Sequence, residues 1–221
     1  MKKKFKRIAI LGKSSKFKKI ALSLFNPTYL NVYSWRSIEK VKLGKSIIKK
    51  KADLILVCGY DFLSHRYPIK QYYSVNVVFP LKLIKELSTN KTLILYIDTT
   101  HKIKKNLKIK KRYTFSRYEY AKKELGYMLF KNYNNLRILN VPIIKNNKNK
   151  VEIFGNKFMT ILLNVLLYLN LINSVKISKL KKMMSDSINA KIKISPFKMK
   201  PLGLSIPRSL FIDRLLRFIY D

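Results

Sequence analysis

The sequence predicts an α/β fold built on a doubly wound parallel sheet. Two short runs, residues 53–58 (DLILVC) and 92–97 (TLILYI), are apolar without alternation, as strands covered on both faces are. Longer stretches with helical spacing of apolar residues separate such runs. Strand, helix and strand recur in this order from residue 7 to residue 141, the pattern of a parallel sheet with helices on both faces.

Taken in order, residues 7–11 (RIAIL) read as the first strand, and residues 16–25 as a helix with Ile20, Leu22 and Phe25 on its apolar side. Residues 29–33 (YLNVY) form a second strand, and residues 38–51 are mixed and basic. The run 53–58 is bounded by charge and by Gly59. A helix is expected over 73–87, kinked or broken by Pro80 because proline lacks the N–H and crowds the preceding turn. Strand 92–97, helix 117–130 and strand 136–141 (LRILNV) follow.

After Pro142 the alternation stops. Residues 145–150 (KNNKNK) read as a polar linker. Beyond them come an apolar helix over 158–172, expected as core, a basic helix over 178–187, and a proline-marked tail ending in an amphipathic helix over 208–220. The expected organisation is a domain over residues 1–150 and a small, mostly helical C-terminal lobe over 151–221.

The chain has 221 residues and is 48% hydrophobic, which excludes wholesale disorder and allows a sizeable core. Cys58 is the sole cysteine and His65 and His101 the only histidines, too few for a disulfide or a structural zinc site. A single thiol suits a reducing, cytoplasmic setting. The apolar run after the basic start, residues 8–12, is too short for a signal-peptide core. The stretch 158–172 carries Asn164 and Asn170 and falls short of the roughly 20 residues of a spanning helix.

Lysine and arginine total 48 against 11 acidic residues, a net charge of +37. Such a balance raises a polyanion partner, nucleic acid or an anionic membrane surface. Two features argue against it and for compositional drift. Arginine, the residue of bidentate phosphate and guanine contacts, is scarce, and the lysines are spread along the whole chain rather than gathered in one arm. The charge still favours the approach of an anionic substrate such as a nucleotide diphosphate.

Three places carry residues suited to chemistry. The first strand runs into Gly12, Lys13, Ser14, Ser15, Lys16, Phe17 and Lys18. A phosphate-binding turn needs glycine so that backbone amides reach a pyrophosphate at a helix N-terminus. Only the first glycine of such a turn is present; Ser15 and Lys18 stand at the later glycine places. After the second strand come Ser34, Trp35 and Arg36, with no acid until Glu39. An acid there binds the ribose hydroxyls of NAD and an arginine accommodates the extra phosphate of NADP, so Arg36 favours NADP. Finally, Tyr118 and Lys122 are four apart and share a helix face. An ammonium beside the phenol lowers its pKa from about 10 and makes it an acid/base for a sugar hydroxyl or carbonyl. The preceding strand leads into Asp98, Thr99 and Thr100. A threonine hydroxyl there is placed to bond the substrate oxygen, and Asp98 reads as a solvated cap, with an additional acid of dehydratase-like chemistry as the alternative.

In order and motif, residues 7–144 resemble the extended short-chain dehydrogenase/reductases, the Rossmann-like family of nucleotide-sugar epimerases, dehydratases and reductases. The likeness runs through "IAILGKSS", "ADLILVCGYDF", the helix "YYSVNVVFPLKLIKEL" with Asn76, "TLILYIDTT", "RYEYAKKELG" and "LRILNVPII" with Asn140 and Pro142. The resemblance implies a general acid/base in Tyr118, a ribose-binding and tuning role for Lys122, a polarising hydroxyl on Thr99 or Thr100, and a structural or relay role for Asn76. It implies NAD or NADP held by Gly12, Ser14, Ser15, Phe17, Arg36, Cys58, Gly59 and Asn140, and a nucleotide-sugar substrate bound by the C-terminal lobe. A homodimer through the helices at Ile84 and Tyr118 is also implied. The chain departs from the family in its missing second and third glycines, in the basic stretch 101–115 (HKIKKNLKIKKRYTF) and in its short C-terminal region. Those departures raise the alternative of an inactive binding or assembly protein of the same fold. A basic polyanion binder is the further alternative.

Overall fold

In the computed structural model, residues 5–12, 15–35, 51–61, 67–98, 117–141, 143–146, 150, 157–169 and 174–189 are described. Five strands, β1 (Arg7–Leu11), β2 (Tyr29–Tyr33), β3 (Leu54–Val57), β4 (Leu93–Asp98) and β5 (Leu136–Asn140), form one sheet in the order β2-β1-β3-β4-β5. Every pairing in it is parallel. A parallel sheet needs both faces covered, and the burial follows: all residues of β3 and β4 are buried, while the edge strands β2 and β5 are partly open.

Alternate residues of the strands feed two cores. Ile8, Ile10, Leu54, Leu56, Leu93 and Leu95 face one side, with Phe17, Ile20 and Ala21 of α1 (Ser15–Phe25). Ala9, Leu11, Ile55, Val57, Ile94 and Tyr96 face the other, with residues of α3 (Phe79–Leu87) and α4 (Arg117–Asn132). Lys18 of α1 is exposed, so its charge stays out of the helix–sheet contact.

The helix expected over 73–87 starts earlier and is interrupted. It comprises α2 (Ile69–Tyr73), a π-helical turn (Ser74–Val78) and α3. Pro80 explains the interruption. Its ring would collide with the carbonyl of residue 76 and it has no N–H to offer it. The backbone widens just before it, and the Phe79 amide donates to Ser74, five residues back. The proline neither ends nor breaks the helix; it sits in the first turn of α3, where it is tolerated.

Past residue 141 the structure departs from the expected pattern. Two three-residue strands, β6 (Ile143–Lys145) and β7 (Ser174–Lys176), pair in parallel as a second small sheet. Helix α6 (Ile177–Asn189) puts Leu180, Met184 and Ile188 into the same core as Ile8 and Leu54, and packs against α1 and β5. The core of the first 150 residues therefore extends into the C-terminal part. Helix α5 (Lys157–Tyr168), expected as a core element, leaves Ile161, Val165 and Tyr168 exposed, the last at 87%. Among the described residues, no helix is long and apolar enough to cross a membrane. The tail helix expected over 208–220 lies outside the described residues.

Candidate functional site

The C-terminal ends of β1, β3 and β4 lie side by side and gather several of the residues singled out by sequence. Gly12, directly after β1, has a φ of 124° and is buried. Its amide donates to the carbonyl of Tyr33 at 2.8 Å, closing the end of β1 onto β2. A Cβ at Gly12 would stand 2.6 Å from the Cα of Gly59. Only glycine meets both demands, the positive φ and the close backbone approach. Gly59, two residues past β3, is equally confined. A Cβ there would run into Cε3 of Trp35 and come within 2.9 Å of the Cα of Gly12.

Lys122 reaches this edge from the second turn of α4. It is 4% exposed, and its Nζ donates to the carbonyl oxygens of Gly59 at 2.9 Å and Ile97 at 3.4 Å. The ammonium also stands 5.3 Å from the centre of the Tyr96 ring, a cation–π distance. The Tyr96 hydroxyl donates to the backbone carbonyl of Lys122 at 2.6 Å, fixing the helix turn that carries the lysine. Burial pulls the ammonium down to about 8, against the opposing pull of Asp98 and Cys58. Burial likewise pushes the Cys58 thiol up to about 12, Lys122 offsetting part of the effect. The thiol bonds the carbonyl of Leu11 at 3.5 Å.

Asn76 lies in the π-helical turn and is buried. Its Oδ1 accepts the indole N–H of Trp35 and the amide of Asp61, both at 3.2 Å, and its Nδ2 donates to the carbonyl of Tyr72 at 3.1 Å. One side chain thus ties the segment after β2, the segment after β3 and the helix beyond it. The widened turn forced by Pro80 is where this amide sits.

The expected residues divide as follows. Gly12, Cys58, Gly59 and Lys122 converge on the strand ends, with Asn76 connected to them through Trp35. Tyr118 lies in the first turn of α4, one turn before Lys122; its side chain and that of Ser15 lie outside the described residues, as do Ser14, Arg36, Thr99 and Thr100. Phe17 is buried in the first-face core and serves helix–sheet packing. Asn140 ends β5, in register with Asp98 of β4. Asp98, expected as a solvated cap, is instead buried, because β4 is covered along its whole length. Sequence reasoning missed Trp35 and Asp61 as parts of this edge. The signal for Trp35 was its position, two residues past a strand and unique in the chain.

The fold and this edge define an α/β protein with a five-stranded parallel sheet, helices on both faces, and a buried ammonium at the C-terminal strand ends. No protein-family model, no curated protein and no solved structure matches the chain. Among the described residues, no group of histidine, cysteine or acidic side chains is arranged to hold a metal ion.

Proposed function

We propose that the chain is a Rossmann-like, cytoplasmic enzyme of the extended short-chain dehydrogenase/reductase type. It would use NAD or NADP, with NADP favoured by Arg36, on a nucleotide-activated sugar in nucleotide-sugar or polysaccharide biosynthesis. One observation carries the reading: the Lys122 ammonium, buried among the carbonyls of Gly59 and Ile97 at the C-terminal ends of β3 and β4. Ligands of open α/β sheets bind at that edge. A buried cation with a displaced pKa, bonded there by backbone carbonyls, is a functional-site signal.

Gly12 and Gly59 support a dinucleotide at the same edge. They let the ends of β1 and β3 meet backbone to backbone, since a Cβ on Gly12 would stand 2.6 Å from the Cα of Gly59, and they leave backbone rather than side chains at the strand ends, as a glycine turn beside a pyrophosphate does. A nicotinamide, when bound, supplies or removes the hydride at a sugar carbon. The chain's own part is the proton. Tyr118, one turn from Lys122, holds it at the sugar oxygen, and the ammonium, still mostly protonated at pH 7, favours the phenolate. In this reading a hydroxyl of Thr99 or Thr100, which follow β4 in the sequence, would bond that oxygen. Asn76 acts as a positioning residue through the Asp61 amide and the Tyr72 carbonyl.

The test is turnover of NAD or NADPH with a panel of nucleotide sugars. Tyr118→Phe should lower the rate by roughly 10²- to 10⁴-fold, the usual worth of a general acid/base, with cofactor binding retained. Equal turnover by both proteins contradicts the assignment. A second reading, a cofactor-free binding or assembly protein of the same fold, is favoured by the Trp35 indole lying on Gly59.

A further inference from the structure

The chain passes from β1 to β2 on one side and then returns to β3 on the other side of β1. Where the strand order reverses in this way, an open α/β sheet has a crevice outside its C-terminal strand ends, and ligands bind in it. Here the reversal falls between β1 and β3, and the residues at its mouth are Gly12, Cys58 and Gly59. Gly12 and Gly59 pack backbone to backbone there, so that a Cβ on Gly12 would stand 2.6 Å from the Cα of Gly59.

Trp35 fills the crevice. The residue follows β2 by two positions and is 5% exposed. Its ring lies so close over Gly59 that a single added methyl would meet Cε3, with Cδ2 at 2.9 Å. The indole N–H is held from the far side by Asn76 Oδ1 at 3.2 Å. A flat aromatic bicycle of purine-like dimensions thus lies on the glycine at the strand-end reversal, with one polar edge satisfied.

We propose that Trp35 is a built-in occupant of the nucleotide crevice: its indole lies against Gly59 where the ribose and base of a dinucleotide would lie, and a nucleotide enters only as the ring leaves. The inference rests on reading this crevice as a nucleotide site. It makes Trp35 the residue that sets affinity there, because a site open in only a fraction of molecules binds more weakly by that fraction. The ring and the Asn76 hydrogen bond stabilise the closed arrangement.

Trp35 is the only tryptophan in the chain, so its emission reports this side chain alone. The full chain is titrated with oxidised NADP by calorimetry and by tryptophan emission, alongside Trp35→Leu and Trp35→Ala. Leucine keeps apolar filling at the core end while shortening the side chain, which guards against loss of folding in the alanine variant. The expected result is a red shift and increased acrylamide quenching of Trp35 as NADP binds, with at least tenfold tighter binding to Trp35→Leu. Binding to the variants with none to the native chain also supports the proposal; it excludes the native chain as an NADP enzyme. Equal affinities with unchanged emission overturn the proposal and leave the enzymatic reading standing. Absence of binding to all three proteins overturns both.

Discussion

The Nζ of Lys122 donates to the carbonyl oxygen of Gly59 at 2.9 Å, across 63 residues of sequence. This contact ties α4 to the end of β3 and takes an ammonium out of water. Such burial is costly unless partners are present. Here the partners are two carbonyls, the Tyr96 ring and the charge of Asp98. They do not offset burial fully, since the lysine still titrates near 8 rather than at its ordinary 10.5.

A pH dependence follows from that depressed value. Between about 8 and 10.5 the unfolded chain holds a proton on this lysine that the folded chain has released. Stability from this group therefore rises with pH across that window and is flat on either side. Its full extent is about 3 kcal/mol, at 1.36 kcal/mol per pKa unit. Urea unfolding of the native chain and Lys122→Met from pH 7 to pH 10.5 isolates the effect. The native-minus-variant difference should climb with pH, and a flat or falling difference contradicts the burial of a titrating ammonium.

Gly12→Ala should destabilise the fold by about 2 to 4 kcal/mol. It combines a positive φ with a contact that the backbone of Gly59 cannot yield cheaply. Chemical denaturation reads the loss. A change within about 0.5 kcal/mol, the scale of an ordinary surface substitution, speaks against the close approach of β1 and β3 ends.

Asn76→Leu removes the acceptor used by both the Trp35 indole and the Asp61 amide. The expected cost is about 2 to 4 kcal/mol, the scale of two buried donors losing a partner. Asn76→Asp keeps the acceptor but sets a second oxygen against the Tyr72 carbonyl and buries a charge, so it should not restore stability in thermal unfolding. A loss within about 0.5 kcal/mol for Asn76→Leu would show that the amide is not the acceptor hub described.

Cys58 should be inert in the native state. With its thiol pushed up to about 12, almost no thiolate exists at pH 8, and the thiolate is the reactive form. A disulfide reagent should label the folded protein roughly a hundredfold or more slowly than the urea-unfolded chain. Equal rates would mean that the end of β3 is open to solvent.

The parts of the fold legible in the sequence were those with a strong period or none. Strand 29–33 and the continuous apolar strands β3 and β4 stood out, because a run of Leu, Ile and Val bounded by charge or glycine reads as a strand covered on both faces. The three-residue strands β6 and β7 are too short to show any alternation. The place of α6 was hidden for another reason. Leu180, Met184 and Ile188 give it an apolar stripe, but a stripe does not say which core receives it. At the strand ends, Gly12 and Lys122 stand out in the order of the chain, and Gly59 and Asn76 through the family resemblance; the structure brings them near one another. The Trp35–Asn76 bond spans 41 residues and depends on how the segments after β2 and β3 meet, which no local pattern encodes. Asp98 reads as solvated in the sequence and is buried in the fold, because the burial of a strand end depends on the helices stacked over it.

The most direct measurement is titration of NADPH against the native protein and Lys122→Met, followed by nicotinamide fluorescence. The native chain should bind with a rise in that fluorescence, and the variant should bind at least tenfold more weakly while remaining folded. No binding by the native chain at about 1 mM cofactor, the upper end of ordinary KM values, would contradict a nicotinamide-dependent enzyme. Equal binding by the two proteins would remove Lys122 from the site.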